Sequence, residues 1–349
     1  MDIYDFRSDT VTLPTAAMMK AVAVAKLGDS ARGDDPTVNE LECLVTRLTG
    51  KEDALFVPSG AMANLAAVIA HDCCGGEVVV EEAAHIYNSE GGGLATVAGA
   101  IPRPIRGRYG VLDPDEVKVA LKGAGDLALA PTRLICLENT HNASGGSVIP
   151  LENLAAIQGL ARHAGVPVHL DGARLFNAGA YLDVPIAEIC KHADSVWFAL
   201  CKGLGAPVGA ILAGDKAFTR KARRAAKMLG GGMRQAGLLA APAIVALQDP
   251  YGVHRRDHAM AQKLARGLAG VNETLVDVDR VQTNIVNCFV DTLAENASEI
   301  NRALGARGIL AISRRTKIRF VTHYHIDETA VDAAVNHFAE VVKLLRKAA

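Results

Sequence analysis

The chain has 349 residues, nearly equal numbers of basic and acidic side chains and a formal net charge of −1. Because nucleic-acid and membrane partners require a basic patch or an apolar run of about 18 residues, and the sequence has neither, we expect no partner of either kind. Its seven cysteines show no repeated CxxC spacing, and the opening MDIYDFRSDT lacks a secretion-signal pattern. We therefore expect reduced thiols, no metal site and a cytoplasmic location.

Short β-branched runs alternate with Ala-rich segments of helical spacing over the first 215 or so residues. The strand-like runs lie at 54–60, 77–82, 133–139, 167–171, 195–200 and 208–214, and the helical segments include 61–72, 112–124, 151–165 and 184–192. Strand, helix, strand in succession predicts an α/β fold with a mainly parallel sheet that is covered on both faces.

The C-terminal third has a different pattern. Helical spacing over 216–248 is interrupted by the turn residues QDPYG at 248–252, and a helical stretch follows at 252–269. Two strand-like runs, VQTNIVNCFV at 281–290 and IRFVTHY at 318–324, precede an amphipathic helix at 328–347. We predict an N-terminal segment at 1–15, a large domain at 16–248 and a small α+β domain at 249–349.

Two residues with informative chemistry follow strand-like runs, where ligands bind in open parallel sheets. Lys202, in FALCKGLGAPVG, stands in an apolar, glycine-flanked turn, where burial lowers the pKa of an ammonium group and allows the amine to form a Schiff base. Asp171, in HLDGARLFNA, can pair with a pyridinium nitrogen. The ordinary alternatives are a solvated surface lysine and an aspartate that caps the next turn.

Three other segments place polar groups at strand ends. VPSGAMANL at 57–65 predicts a strand, a turn and a helix whose free N–H groups, together with Ser59, can bind a phosphate ester. His85, in EEAAHIYNSEGGG, can stack on a flat ligand or be an ordinary loop histidine. The polar residues of LENTHN close a strand and can bind a ligand or only cap a turn; they are Glu138, Asn139, His141 and Asn142.

Taken in order, the motifs resemble the threonine aldolases, pyridoxal-phosphate enzymes of fold type I within the β-eliminating lyase group. The similarity runs nearly from end to end. The segments that carry it are FRSDTVTLPT, GDDPTVNELE, PSGAMAN, AHIYN, LENTHN, HLDGARLFNA, CKGLGAPVGA, KMLGGGMRQAG and RFVTH.

The resemblance implies that the large domain binds pyridoxal 5′-phosphate. Lys202 is then the lysine that holds the cofactor as a Schiff base, Asp171 the partner of its pyridine nitrogen, and His85 the imidazole stacked on its ring. These three are the implied catalytic residues, and His85, acting directly or through water, is the candidate base. No metal is implied.

The resemblance also implies a phosphate site and an assembly. Ser59, Gly60 and Ala61 would hold the phosphate group, with Arg234 of GGGMRQ reaching in from a second subunit. A site completed by a neighbouring copy implies a homo-oligomer, either a dimer or a tetramer.

The implied substrate contacts are mostly cationic. Ser8 and Arg319 would clamp the substrate carboxylate, because a planar guanidinium matches a carboxylate with two hydrogen bonds. Arg174 would contact that carboxylate or the phenolic oxygen of the cofactor ring, and Lys227 would lie near the mouth of the site.

The implied reaction is retro-aldol cleavage of L-threonine, L-allo-threonine and related β-hydroxy-α-amino acids to glycine and an aldehyde. Two departures from the family pattern concern the substrate. Arg32 replaces a tyrosine before GDDP, and GDLALAP at 125–131 lacks a loop histidine, with Ala128 nearest. Arg32 either favours an acidic side chain, loosens specificity, or is an ordinary surface residue.

The sequence leaves three alternative functions open. The chain could be an aldolase for another β-hydroxy amino acid, such as phenylserine or 3-hydroxyaspartate. It could instead be a β-eliminating lyase, which releases ammonia and an α-keto acid. A non-catalytic pyridoxal-phosphate carrier is a third alternative.

Overall fold

The computed structural model describes residues 2–123, 125, 128–293 and 297–348. The strands are β1 (Tyr4–Asp5), β2 (Asp53–Val57), β3 (Glu77–Glu81), β4 (Ile101–Ile105), β5 (Thr132–Glu138), β6 (Val168–Asp171), β7 (Ser195–Ala199), β8 (Ala210–Gly214), β9 (Ile285–Phe289), β10 (Ile309–Leu310), β11 (Ile312–Arg314) and β12 (Lys317–Val321).

Helices connect most of these strands. They are α1 (Ala16–Val24), α2 (Pro36–Thr49), α3 (Gly60–Ala70), α4 (His85–Asn88), α5 (Gly93–Thr96), α6 (Pro114–Ala120), α7 (Leu151–Ala164), α8 (Leu175–Leu182), α9 (Ile186–Cys190), α10 (Lys216–Met228), α11 (Gly237–Ala246), α12 (Pro250–Val271), α13 (Ala297–Gly305) and α14 (Glu328–Ala348). Short 3-10 turns lie at Asp9–Val11, Ser30–Arg32 and Val278–Arg280.

The large sheet has seven strands in the order β2-β8-β7-β6-β5-β3-β4. Strand β8 is antiparallel to β2 and β7, whereas all other neighbours are parallel. This arrangement confirms the predicted α/β fold with a mainly parallel sheet. Strands β3, β5, β6 and β7 end at the same edge, so the residues that follow them are brought close together.

Both faces of the large sheet are covered, as the unbroken apolar runs of its strands predicted. Phe56, Val196 and Phe198 belong to one apolar cluster, while Val57 and Trp197 belong to another. Because successive side chains of a strand point to opposite faces, these clusters lie on opposite sides of the sheet. Helices α3 and α10 cover the second side.

Strand β4 was not predicted, and its sequence IPRPI shows why. It pairs only with β3 and forms an edge of the large sheet. A proline has no N–H to donate, so strands that contain proline are confined to such edges. The helix predicted at 112–124 is shorter in the structure, where it spans Pro114–Ala120; residue 124 lies outside the described residues.

The C-terminal third forms its own apolar core. The antiparallel sheet β11-β12-β9 and the parallel pair β1-β10 surround a cluster that includes Phe6, Leu264, Phe320 and Phe338. Within the described residues, no helix is long and apolar enough to cross a membrane. The boundaries after residues 15 and 248 stay a prediction.

Helix α12 starts where the turn residues QDPYG indicated a break. The Asp249 carboxylate accepts a hydrogen bond from the Gly252 N–H at 3.0 Å, and Pro250 is the first helical residue. Both features are typical of helix N-termini. The cap accepts a hydrogen bond from a backbone N–H that has no partner within the helix, and proline has no N–H that would need an acceptor.

Candidate active site

Lys202 lies in the turn that follows β7, beside the edge where the parallel strands end. Its backbone oxygen accepts hydrogen bonds from Thr12 Oγ1 at 2.9 Å and Gly205 N at 2.8 Å. Its Nζ atom lies 5.9 Å from the Trp197 ring centroid. Burial, and secondly the positive charge of Arg174, lower the pKa of the Lys202 side chain. The neutral, nucleophilic amine is thus easier to form at Lys202 than at an exposed lysine.

Asp171 is the last residue of β6 and is 2% exposed. Asn64 Nδ2 donates to its Oδ2 at 2.9 Å, and the Ala173 N–H donates to its Oδ1 at 3.1 Å. Burial and the nearby carboxylates of Glu138 and Glu90 raise the pKa of Asp171 to about 7. A cationic donor placed against this carboxylate would therefore be strongly held.

His85 is the first residue of α4, directly beyond β3. The Glu138 carboxylate accepts its backbone N–H at 2.6 Å and the Asn142 N–H at 2.8 Å. The imidazole Nδ1 lies 2.9 Å from Glu90 Oε1, and 41% of the His85 side chain is exposed. The hydrogen bond with Glu90 raises the pKa of His85 above its usual value. The ring is thus held by Glu138 and Glu90 while part of it stays open to a ligand.

His85, Glu90 and Asp171 approach one another closely enough to suggest a metal site, since one ligand atom of each lies within 4.8 Å of the others. The surrounding hydrogen bonds argue against that use. Asn64 Nδ2 donates to Glu90 at 2.7 Å and to Asp171 at 2.9 Å, so a partially positive amide group stands between the two carboxylates. A cation is repelled by such a donor.

Arg174 and Arg319 form the cationic side of the site. Arg174 is buried and pairs with both oxygens of Asp9, at 2.7 and 2.8 Å. A third donor, Asn284 Nδ2, lies 3.2 Å from the same carboxylate. Ser8 Oγ lies 3.4 Å from it and also accepts the first-turn Thr10 N–H. The charge of Arg174 is therefore neutralised within the protein.

Arg319, in β12, differs in that it forms no ion pair with any described residue, and its buried Nε atom has no hydrogen-bond partner there. Burial, followed by the charge of Arg174, lowers the pKa of Arg319 to about 10. A half-buried guanidinium with unsatisfied donors is a binding group for an anion, and a carboxylate fits its planar fork.

The first turn of α3 lies at the predicted phosphate site. Ser59 caps the helix by accepting the Met62 N–H at 3.3 Å. A Cβ atom on Gly60 would lie 2.3 Å from Trp197 Cη2, so only glycine lets this turn pack against the indole. Ala61 is exposed. The free N–H groups at a helix start bind anionic groups such as phosphate.

Three predicted cations lie outside this cluster in the single chain. Arg234 is 65% exposed and pairs with Asp29 at 3.0 Å. Arg32 is 76% exposed and lies 3.5 Å from the same carboxylate, and Lys227 is exposed in the last turn of α10. Within the described residues, none of the three contacts Lys202 or Asp171. Ala128 is exposed, and Asp126 and Leu127 of its loop lie outside the described residues.

Several groups that shape the site were not singled out from the sequence. Asp9 pairs with Arg174, Asn64 bridges Asp171 and Glu90, and Glu90 binds His85. Trp197 donates its indole N–H to Asn64. The one signal available was the position of Glu90, five residues after His85 in the same loop.

Relatives of known name agree with these observations. The family described as Beta-eliminating lyase matches residues 5–291. A protein of Arabidopsis thaliana named low-specificity L-threonine aldolase 1 is 40% identical over 348 residues, which cover 98% of this chain and 97% of that protein. The low specificity L-threonine aldolase of Escherichia coli is 40% identical over 335 residues, which cover 96% and 98%. The chain belongs to the beta-eliminating lyase family.

Solved structures show the same fold. A threonine aldolase of Leishmania major superposes with a TM-score of 0.78 at 20% identity, covering 99% of both chains. A putative aromatic amino acid beta-eliminating lyase/threonine aldolase of Exiguobacterium superposes with a TM-score of 0.78 at 21% identity, covering 95% of this chain and 98% of the other. The predicted fold type I architecture is confirmed.

Proposed function

We propose that the chain is a pyridoxal-phosphate-dependent L-threonine aldolase of low specificity. It would cleave L-threonine, L-allo-threonine and related β-hydroxy-α-amino acids to glycine and an aldehyde. The main support is the grouping of Lys202, Asp171 and His85 at one edge of the sheet, beside the unpaired Arg319, in a chain whose relatives at 40% identity carry that name.

The described residues fit pyridoxal phosphate group by group. Lys202 offers an amine with a lowered pKa for the cofactor aldehyde. Asp171 offers a buried carboxylate that a protonated ring nitrogen would stabilise as the anion. The partly exposed imidazole of His85 suits a flat ring, and the start of α3 at Ser59 and Gly60 suits the phosphate. When bound, the cofactor supplies an electron sink for the pair left on Cα.

Arg319 and Ser8 then act on the substrate carboxylate. The Arg319 guanidinium would hold it through Nε, which has no hydrogen-bond partner among the described residues, and the Ser8 hydroxyl would add a hydrogen bond. Holding the carboxylate fixes the rotation about the bond to Cα, and thereby sets which Cα bond can break. Arg174 is held in place by Asp9, and its Nη1 donates to Asn142 Oδ1 at 3.1 Å.

His85 is the proposed base. It takes the proton of the β-hydroxyl group while the Cα–Cβ bond breaks, so that the β-carbon leaves as an aldehyde and its electron pair remains with Cα. A proton added at Cα then gives glycine. For threonine the aldehyde is acetaldehyde.

The assembly is part of the proposal. A homo-oligomer, dimer or tetramer, would bring Arg234 of one copy to the phosphate site of another, and Lys227 to the mouth of a site. The support is that Arg234 and Lys227 are exposed cations, while no hydrogen bond or ion pair joins Ser59, Gly60 or Ala61 to a lysine or arginine among the described residues. A cytoplasmic location is also proposed, and the unpaired thiols of the cysteines favour it.

The test is aldehyde release from threonine, allo-threonine, phenylserine and 3-hydroxyaspartate by the pyridoxal-phosphate-loaded protein. Lys202→Ala should abolish release and the visible absorption of the bound cofactor. The control is Lys118→Ala, at an exposed lysine of α6, which should change neither. Ammonia and an α-keto acid in place of glycine and aldehyde would show a β-eliminating lyase instead, and cofactor binding without turnover would show a carrier.

A further inference from the structure

Glu90 is a buried carboxylate that the mechanism above does not use. Its side chain is 2% exposed, and its Oε1 atom lies 2.9 Å from His85 Nδ1 and 2.7 Å from Asn64 Nδ2. Its Oε2 atom has no hydrogen-bond partner among the described residues. A carboxylate in so dry a position is costly unless its partners compensate for the lost water.

The orientation of Asn64 is fixed by a group that can only donate. Trp197 Nε1 lies 2.6 Å from Asn64 Oδ1, and an indole N–H has no acceptor capacity. The amide oxygen of Asn64 must therefore face Trp197, and its two N–H groups must face Glu90 and Asp171. A carboxylate oxygen can only accept hydrogen bonds. His85 Nδ1 must therefore carry the hydrogen that it shares with Glu90 Oε1, beside the hydrogen bond from Asn64.

This assignment fixes the state of the imidazole. If Nδ1 carries the hydrogen, the neutral ring of His85 has its lone pair on Nε2. No described residue forms a hydrogen bond with Nε2, and 41% of the His85 side chain is exposed. The lone pair on Nε2 is therefore not used by the described residues and is available to a bound molecule.

We propose that Glu90 is the positioning carboxylate of His85: it holds Nδ1 as a hydrogen-bond donor and leaves Nε2 to accept the β-hydroxyl proton of the substrate. The second half of this inference, proton acceptance by Nε2, rests on the proposed function. As the hydroxyl proton moves to Nε2, the ring becomes an imidazolium ion whose new charge is paired with Glu90, while the Cα–Cβ bond breaks and its electron pair stays on Cα. Water takes the proton from Nε2 after the aldehyde leaves.

The charged groups that face His85 come from three elements. Glu90 lies in its own loop, Asp171 ends β6 and Glu138 ends β5, and all three carboxylates raise the pKa of His85, with Glu90 the largest contributor. Replacing Glu90 by glutamine keeps the size of the side chain and one acceptor oxygen, removes the negative charge and puts an NH2 group in place of the other oxygen. The pKa of His85 should then fall, as expected for loss of an adjacent opposite charge.

The first test is an NMR titration of ¹³C-histidine-labelled full-length protein, with and without pyridoxal phosphate, with the His85 signal assigned by its loss in His85→Asn. In Glu90→Gln the titration midpoint should shift to lower pH, and the tautomer with the hydrogen on Nε2 should become more populated. The control is Glu82→Gln, at an exposed glutamate three residues before His85, which should leave both unchanged. An unchanged His85 midpoint and tautomer in Glu90→Gln would overturn the proposal.

The second test is the pH profile of kcat/KM for aldehyde release. Since Nε2 must be unprotonated to accept a proton, activity rises as the pH passes the pKa of His85. In Glu90→Gln, the rise of kcat/KM with pH should therefore occur at lower pH, and the maximal kcat/KM should be lower than in wild type. A loss of activity without any shift of this rise would mean that Glu90 only supports the fold. The NMR titration does not require turnover, so the two proposals can fail separately. Absence of aldehyde release by the wild-type protein would refute the proposed function. An unchanged titration midpoint of His85 in Glu90→Gln would refute the role of Glu90.

Discussion

The ion pair between Asp9 and Arg174 is a quantitative test of how the site is held together. Two guanidinium nitrogens of Arg174 lie 2.7 and 2.8 Å from the Asp9 carboxylate, and both side chains are buried. Asp9→Asn keeps the size of the side chain and one acceptor oxygen. It removes the negative charge and leaves the Arg174 cation in a dry environment.

The cost follows from that uncompensated charge. Removing one partner of a buried ion pair costs about 3–5 kcal/mol, whereas an exposed pair contributes about 0–1 kcal/mol. Asp5 and Arg7 form an exposed pair at 2.6 Å in the same segment of the chain. We therefore expect Asp9→Asn to lower the free energy of unfolding by about 3–5 kcal/mol, and Asp5→Asn to lower it by less than about 1 kcal/mol.

The effect has a defined pH dependence. Burial alone would raise the pKa of Asp9, but Arg174 outweighs it and holds the pKa well below the ordinary value of 3.8. A carboxyl group whose pKa is depressed by folding stabilises the protein above its unfolded-state pKa, and loses that effect as the pH falls through the folded-state value. The difference between wild type and Asp9→Asn should thus be complete above about pH 5 and shrink in acid.

Urea unfolding at pH 7 and pH 4, at one fixed protein concentration, measures these differences. Fixed concentration matters because subunit association and bound cofactor both add to apparent stability. Equal losses for Asp9→Asn and Asp5→Asn at pH 7 would contradict a buried, mutually dependent pair. A loss for Asp9→Asn that grew on acidification would contradict the sign of the pKa shift.

Three other substitutions test separate parts of the site. Arg319→Lys cannot make the paired hydrogen bonds to a carboxylate, so KM for threonine should rise about 10–100-fold with a smaller change in kcat, and an unchanged KM would place the carboxylate elsewhere. Gly60→Ala puts a Cβ atom 2.3 Å from Trp197 Cη2, so fluorescence titration should show pyridoxal-phosphate binding that is at least about tenfold weaker. The control is Gly159→Ala in α7, where a Cβ atom meets nothing within 4 Å; this variant should bind the cofactor as wild type does. Arg32→Tyr should lower the ratio of kcat/KM for 3-hydroxyaspartate to that for threonine, and an equal ratio in both proteins would make Arg32 an ordinary surface residue.

Much of the fold could be predicted because its elements are locally encoded. The apolar strands of the large sheet, the break at Asp249 and Pro250, and the closing helix all have patterns that extend over a few neighbouring residues. The predicted helix at 328–347 is observed at Glu328–Ala348. Strand β4 was missed because IPRPI has the composition of a loop, and only its pairing with β3 at the edge of the sheet makes it a strand.

The candidate site was predictable where chemistry coincides with a strand end. Asp171 ends a buried strand, and Lys202 and His85 each follow one. The common edge of a parallel sheet brings such residues together without further information. The strand-end rule says nothing about the positions of Arg234, Arg32 and Lys227, because these residues lie on helices and turns at the surface of the single chain. Their proposed roles depend on a second copy of the chain.

The residues that hold the site in place follow no local rule, because their partners are distant in sequence. Asn64 looks like an unremarkable polar residue in an Ala-rich helix, yet its amide contacts Glu90, Asp171 and Trp197, which are 26, 107 and 133 residues away. A helix interior disfavours asparagine, so its presence at a fully buried position of α3 is explained only by these contacts. The Asn64 amide, oriented by the Trp197 indole N–H, holds the carboxylates of Glu90 and Asp171 close together, and Glu90 in turn determines the proposed tautomer of His85. The positions of the chemical groups therefore follow from the strand ends, whereas their proposed protonation states depend on these contacts between residues distant in sequence.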